Sequence, residues 1–574
     1  RFIVLRKNSG TPLSAMACLE QGSWCGTLSF DSTRADEFSK LAEGDTVYLS
    51  GLTMGDRTPF CGADSLLVHH PDYMLTVTDL TECYPGYIRE GLLEGPRPMH
   101  VIKSHFAPRG PSRHNTVVGQ LVNILVDRAL HCKNEGRDME SERNSMVLDA
   151  LSERMLDLAT LPGDRDFEHT VRDLKNESAP QCPDHNLQMV LRSSRNGQFY
   201  GCPRFPECRR TAGIKDHVGY RGLNDLLIPR IEKERGKAYW EVPVYSPRLG
   251  LTGKIDILFQ PTGDARMLKF IELKTGKVYG RSPEDPNYLN PQHRRQLQLY
   301  RALAGERFGA SSLDLWYPRA ENSWIRRVEE PSPDDMREML EVRNEAVRLI
   351  TDLASRDRVW DLLSSAASDP DIWFKGEEER ARLAFDNELR SCGSTVRSYV
   401  EFMVSFIART MLAARIGWYS TSRNTSLSDI WRSDPEEKME KGVLLDSLSL
   451  SSIEYSNGKW TLLLDDLSDA REFKFRENDL VILYPKPHVA MDMPSVLIDG
   501  YLMRQTFKKE YDDGASLFPP VTIEVEVNSY VPEIETWREA LTNGEPPPIF
   551  CMERYYSEKI HKSRHAVLRS GSGR

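Results

Sequence analysis

The amino-acid sequence predicts a multidomain α/β protein, with a mixed strand–helix core, a small β-barrel on each side of it and a metal-held insertion. Three observations carry that expectation. Short β-rich runs separated by glycines and polar turns crowd both ends of the chain. Two strands and a helix with charged residues at regular places fill the middle. Between the first barrel and that core sits a compact Cys/His cluster.

With 574 residues the chain is too long for one core, so about three to five units are expected. Residues 1–77 read as an OB-like β-barrel: Phe2-Ile-Val-Leu5, Trp24 to Phe30 and Asp45 to Ser50 are short strands, and Gly44-Asp45 opens the last of them. Residues 78–180 turn helical, with Val118, Leu121, Val122, Leu125 and Leu130 at helical spacing after a Pro/Arg/His-rich loop. Residues 181–212 hold the Cys/His cluster. Residues 213–392 supply strands at 239–246, 254–260 and 268–273, a helix at 291–304 and a long charged helical stretch. Residues 393–442 form a helical connector. Residues 443–535 return to strands, such as Lys459 to Leu464 and Val521 to Val527, and read as a second β-barrel. Residues 536–574 are expected to be an extended tail. Because the first residue is Arg1, a further N-terminal piece is expected.

Composition narrows the function. A net charge of −10 excludes a generally basic nucleic-acid coat, so any nucleic-acid path must be a local groove with its own positive lining. The most apolar stretch, Val396 to Trp418, is interrupted by Arg397, Glu401, Arg409 and Arg415, which makes it an amphipathic core helix rather than a membrane span. Ten cysteines are too sparse for a disulfide scaffold, and an intracellular, reducing setting is expected, whether cytoplasm, nucleoid or nucleus.

The middle strands carry the chemistry. Asp256 ends Gly-Lys-Ile-Asp, Glu272 and Lys274 lie two apart on the next strand, and Gln296 and Tyr300 lie four apart on the helix. Side chains two apart on a strand, or four apart on a helix, share a face. Two carboxylates suit Mg²⁺ or Mn²⁺. Such an ion polarises a phosphate and lowers the pKa of an attacking water, and an adjacent ammonium stabilises charge building on phosphorus. Taken singly, Asp256 fits a turn acid and Glu272/Lys274 a strand ion pair. The ordered set points to phosphodiester hydrolysis.

Tyr245-Ser-Pro-Arg-Leu-Gly-Leu-Thr-Gly-Lys-Ile-Asp256, Glu272-Leu-Lys-Thr-Gly-Lys277 and His293-Arg-Arg-Gln296-Leu-Gln-Leu-Tyr300 closely resemble the DNA replication helicase/nuclease family, which trims flaps and resected ends with a RecB-like PD-(D/E)XK nuclease. Asp429-Ile-Trp-Arg432, ahead of the second barrel, resembles that family as well. The resemblance implies that Asp256 and Glu272 are metal ligands, Lys274 the catalytic lysine, and Gln296 and Tyr300 the supporting motif, with Glu241 a further acid. It also implies a partnership with an ATP-driven helicase. No Gly-x-x-x-x-Gly-Lys-Ser/Thr loop occurs here, so the motor is expected C-terminal to this chain or on a separate subunit.

Two departures stand out. The family's Gly-x-x-x-His helix has Asn123 in the histidine's place; its amide oxygen can ligate Mg²⁺ or Mn²⁺, and a polar residue at a helix bend is the other reading. The family's four-cysteine iron–sulfur cluster lacks partners: Cys83 precedes the core, but only Cys392 and Cys551 follow it. No such cluster is expected.

Cys182-Pro-Asp-His185, then Cys202 and Cys208, make a Cys3His set suited to structural zinc. Gly197 to Cys208 resembles the zinc ribbons of type IA topoisomerases. Arg192, Arg195, Arg204, Arg209 and Arg210, beside Phe199, Tyr200 and Phe205, would offer charge and stacking faces to single-stranded DNA. A purely structural clip remains the other reading of the module.

The function expected is a Mg²⁺- or Mn²⁺-dependent nuclease acting on single-stranded, flapped or end-containing DNA, in repair, replication or anti-phage defence, with no membrane partner. The alternative is a catalytically silent scaffold that guides single strands to a helicase, and Asn123 is its main support.

Overall fold

The computed structural model describes residues 1–8, 13–20, 22, 24–55, 58–84, 95–106, 114–154, 181–187, 189–194, 197–213, 231, 235–262, 268–274, 289–309, 311–317, 324–369, 377–419, 426–456, 459–467, 475–486, 496–507, 521–527 and 529–554. It is a mixed α/β multidomain structure built on three larger sheets and a small three-stranded one.

The central sheet places the site. Strands Gly236–Ser246, Leu251–Pro261, Leu268–Leu273, Ser311–Tyr317 and Trp324–Val328 follow one another across it. The third and fourth are parallel, and the helix Pro291–Phe308 makes the crossover between them. That helix starts where sequence dictates: the Asn290 side chain accepts the Gln292 N–H and Pro291 takes the first turn. Leu297, Leu299, Tyr300 and Leu303 are buried in the main core. A second helix, His114–Asn134, runs beside the edge strand, and Asn134 exchanges two hydrogen bonds with the Ala238 backbone (2.6 and 3.1 Å).

The N-terminal segment, expected as an OB-like β-barrel, curves only part of the way. Its seven strands form an open sheet, with the two-residue Thr53–Met54 strand at one edge and Leu66–His69 at the other. The helix Ala35–Lys40 packs Phe38 into the buried core of this sheet. Cys18 and Cys25, on paired strands, are joined as a disulfide.

The C-terminal barrel is closed by six strands. The closing strand is Ile549–Arg554, which pairs with Leu444–Ser456 on one side and Leu480–Pro485 on the other. Those residues were expected in an extended tail, so the barrel runs past residue 535; residues 555–574 lie outside the described ones. On its outer face, under the helix Pro435–Glu440, Lys438, 1% exposed, donates to Glu553 at 2.8 Å, and the Tyr484 hydroxyl donates to the same carboxylate.

Polar clasps join these parts. Asp72 accepts from Arg1, from Arg432 (2.9 Å) and from the Trp431 indole N–H (3.0 Å). The Asp429-Ile-Trp-Arg432 motif thereby ties the second barrel to the N-terminal sheet. Arg343 is fully buried, with guanidinium donors on the backbone carbonyls of His69, His70, Tyr73 and Gly250. A Cβ on Gly250, whose φ is +62°, would lie 2.3 Å from that guanidinium, so glycine is required there. The helix Ser394–Ile416 buries Val404, Ile407, Met411 and Leu412. Among the described residues no helix is long and apolar enough to cross a membrane.

Two buried histidines give the fold an acid limit. His70 packs against His69 and Trp418, and His131 stacks on Tyr455. Burial pushes each down to about 4. Between pH ~6.5 and ~4 the unfolded chain therefore binds more protons than the native one, so stability falls as pH drops through that window. Each histidine contributes up to about 3 kcal/mol. Thermal melts at pH 7 and pH 4.5 check this, and His131→Gln is expected to flatten the loss.

Candidate cation site and zinc ribbon

Strand register builds the site. Trp240 pairs with Ile257 and Val242 with Ile255, so Glu241 faces Asp256. Ile257 pairs with Ile271, and one step further along the same register Asp256 faces Glu272. Three acids thus form one row across three adjacent strands. The ladder between the second and third strands ends there. The Asp256 carboxylate fills the gap by accepting the Leu273 N–H at 2.8 Å.

Lys274 and the helix complete the group. The Lys274 ammonium donates to Glu272 Oε1 at 2.7 Å and to Gln296 Oε1 at 2.8 Å, and Gln296 Nε2 donates to the Tyr300 hydroxyl at 3.0 Å. The five residues Asp256, Glu272, Lys274, Gln296 and Tyr300 are therefore brought together. Gly253 explains part of the motif around Asp256: a Cβ there would lie 2.7 Å from Tyr300 Cε1, so the bare backbone is what lets the tyrosine approach the strand.

The electrostatics are those of crowded acids. Burial raises the Asp256 carboxyl well above its ordinary value, and the Glu272 charge adds to the effect. Burial raises Glu272 as well, and Glu241 is pushed up to about 7 by burial and then by Asp256. Burial opposes the Lys274 charge, but Glu272 and Asp256 outweigh it and hold the ammonium protonated. The Glu272 side chain is 3% exposed, yet its Oε2 has no hydrogen-bond partner among the described residues. A buried carboxylate oxygen without a donor costs several kcal/mol unless a cation, or a proton shared with the neighbouring Asp256 carboxyl, meets it. The donor set, all carboxylate oxygen, fits Mg²⁺ or Mn²⁺.

Sequence reading offered Glu241 as a further acid through the resemblance, and it missed Asp127. Glu241 sits in the left-handed region (φ +51°), a conformation that costs a non-glycine residue about 1–3 kcal/mol; only the register shows that it faces Asp256. Asp127, on the helix His114–Asn134, is raised well above its ordinary value by burial and then by the Glu241 charge, with Asp256 also contributing. It lies one helical turn after Asn123. Asn123 is half-buried on that helix, with no hydrogen bond to the acids among the described residues. Cys83 is a buried core thiol whose Sγ lies 3.7 Å from the Asp79 carbonyl.

The second site is the ribbon. Strands Val190–Ser194, Gly197–Gly201 and Thr211–Gly213 form a small antiparallel sheet. Its turns bring Cys182 Sγ to 3.6 Å from Cys208 Sγ and 3.6 Å from His185 Nδ1, with Cys202 Sγ 3.8 Å from the same nitrogen. All four ligand atoms lie within 4.8 Å of one another. A tetrahedral ion with Zn–S near 2.3 Å and Zn–N near 2.1 Å requires edges of about 3.6–3.8 Å. The residues fit zinc, and they bind it through Nδ1 of His185.

On the ribbon surface Phe205 is 57% exposed, with the Arg192 guanidinium 5.1 Å over its ring. Arg204 and Arg209 are exposed; Arg210 is exposed but pairs with Asp184 at 2.9 Å. Phe199 is half-buried, and Tyr200 packs against the cysteine cluster. Arg195 lies outside the described residues.

Residues 179–217 match the family of topoisomerase DNA binding C4 zinc fingers. This segment differs from four cysteines by His185, an equally competent zinc ligand. The match suggests DNA binding for the segment. Comparison with curated proteins finds no match for the chain.

Proposed function

We propose that the protein is a divalent-metal-dependent nuclease acting on single-stranded DNA, at ends or flaps. The observation that carries the reading is the row Glu241–Asp256–Glu272 with Lys274 held beside it, in which one buried oxygen of Glu272 has no donor among the described residues. Mg²⁺ or Mn²⁺ at these oxygens would polarise the scissile phosphate and lower the pKa of the attacking water.

The protein's own groups divide the remaining work. Asp256 and Glu272 hold the ion, with Asp256 fixed by the Leu273 N–H. Lys274 spends two of its three donors on Glu272 and Gln296, which leaves one for a phosphate oxygen. Gln296, itself braced by Tyr300, fixes where that ammonium points. The zinc ribbon offers Phe205 for base stacking and Arg204 and Arg209 for the backbone, a sequence-tolerant grip on a single strand. An ATP-driven helicase, C-terminal to this chain or on a partner subunit, supplies unwound DNA in this reading.

End-labelled single-stranded oligonucleotide, incubated with the protein in Mg²⁺, Mn²⁺ or chelator, tests the proposal. Shortening with either metal and none with chelator is expected. Tight binding without cleavage in both metals would instead favour a silent scaffold.

A further inference from the structure

We propose that Asp127 is a ligand of the cation site, so that a helix-borne carboxylate takes the place in which Asn123 was expected to bind. The inference rests on the nuclease reading of the Asp256/Glu272 site and adds a residue to it.

Helix and strand geometry carries the argument. Asn134 is pinned to Ala238 by two hydrogen bonds, and three residues back the His131 ring lies 6.4 Å from that of Trp240. Going backwards along the helix therefore means going forwards along the strand. Seven residues of helix from Asn134 to Asp127 span about 10.5 Å. Three residues of strand from Ala238 to Glu241 span about 10 Å. Asp127 thus arrives level with Glu241, the first acid of the row, whereas Asn123 lies a full turn, about 6 Å, beyond it. Its neighbour Arg128 turns away, donating to the Tyr455 hydroxyl (3.1 Å) and to Glu153 (3.3 Å).

A cluster of acids needs something to hold it together. Asp127 has no hydrogen bond or ion pair among the described residues, and neither does Glu241. Glu272, almost wholly buried, leaves Oε2 without a donor in the same place. Four carboxylates face the Lys274 ammonium, while the nearby Arg128 is engaged by Glu153 and Lys254 by Asp499, so a surplus of negative charge is left that a hard divalent cation would neutralise. An all-oxygen set of this kind favours Mg²⁺ and Mn²⁺ over softer ions, in contrast with a site that includes an imidazole.

Titration of the full chain, zinc-loaded, with Mn²⁺ alone tests this, with the free ion followed by electron paramagnetic resonance. Asp127→Asn is expected to weaken Mn²⁺ binding at least ten-fold, Asn123→Ala to change it less than two-fold, and Asp256→Asn to abolish it. Asp127→Asn should also raise the metal-free melting temperature, because it removes one of four like charges; a merely structural residue would lower it. Asp127→Glu, which keeps the carboxylate, is expected to restore binding. Wild-type affinity in Asp127→Asn beside loss in Asp256→Asn would overturn the role of Asp127 while leaving the site intact. Absence of Mn²⁺ binding by the unaltered protein would overturn both.

Discussion

Glu272→Gln is expected to reduce metal-dependent cleavage of single-stranded DNA by about a thousand-fold or more while leaving the fold in place. The side chain is isosteric and its buried environment unchanged, so packing is kept. What disappears is a charged ligand oxygen and the partner of Lys274 at 2.7 Å. Loss of several kcal/mol of charge stabilisation from a metal site corresponds to about three powers of ten in rate. The amide would retain a hydrogen bond to Lys274 only if its oxygen faces the ammonium, which turns the NH₂ toward Asp256. Cleavage of labelled oligonucleotide, alongside circular dichroism and a thermal melt, reads both halves of the expectation. A variant that folds and still cuts at the wild-type rate would remove Glu272 from the chemistry.

Zinc removal is the second large effect. The ribbon's buried core consists of Cys182, Met189, Cys202 and Cys208, with Tyr200 and Ala212 packed against it. Three ligands make up most of that cluster, so little apolar surface is left to hold the strands once the ion is gone. Structural zinc contributes about 10–16 kcal/mol in comparable small modules. Cys202→Ser is therefore expected to lower bound zinc from one equivalent to near zero, unfold the segment around residues 182–213, and weaken single-strand binding with a shallower salt dependence. Phe205→Ala, which leaves the ligands intact, should keep the zinc and cost about 1–3 kcal/mol of single-strand affinity. Metal analysis by mass spectrometry and a salt-dependent DNA titration separate the two outcomes. Equal DNA affinity in all three proteins would make the ribbon a structural clip.

The candidate site was partly legible in the sequence because its internal spacings are local. Two residues separate Glu272 from Lys274 on a strand, and four separate Gln296 from Tyr300 on a helix, so each pair shares a face whatever the rest of the chain does. The zinc ligands were legible for the same reason, although which nitrogen of His185 points inward needed coordinates. Contacts that depend on long-range register were not. Glu241 and Asp256 are fifteen positions apart in sequence and meet only because the antiparallel ladder pairs them. Asp127 is more than a hundred residues from Glu241, and the Gly-x-x-x-His pattern drew attention to Asn123 one turn earlier.

The fold shows the same division. The long strands of the central sheet and of the C-terminal barrel were visible as apolar runs. The two- and three-residue strands Thr53–Met54 and Pro59–Cys61 offer no periodicity to read, and with them went the knowledge that the N-terminal sheet stays open. Strand Ile549–Arg554 stands apart from the other barrel strands behind the helix Pro532–Asn543 and a run of prolines. Its place in the barrel is set by pairing with residues up to about a hundred and ten positions away, not by its own pattern.

Crystals grown with MnCl₂ and measured at the manganese absorption edge address the cation site without relying on activity. A single strong anomalous peak within about 2.0–2.4 Å of carboxylate oxygens of both Asp256 and Glu272 is the expected result. A manganese-saturated crystal with those two carboxylates ordered and no peak between them would contradict it.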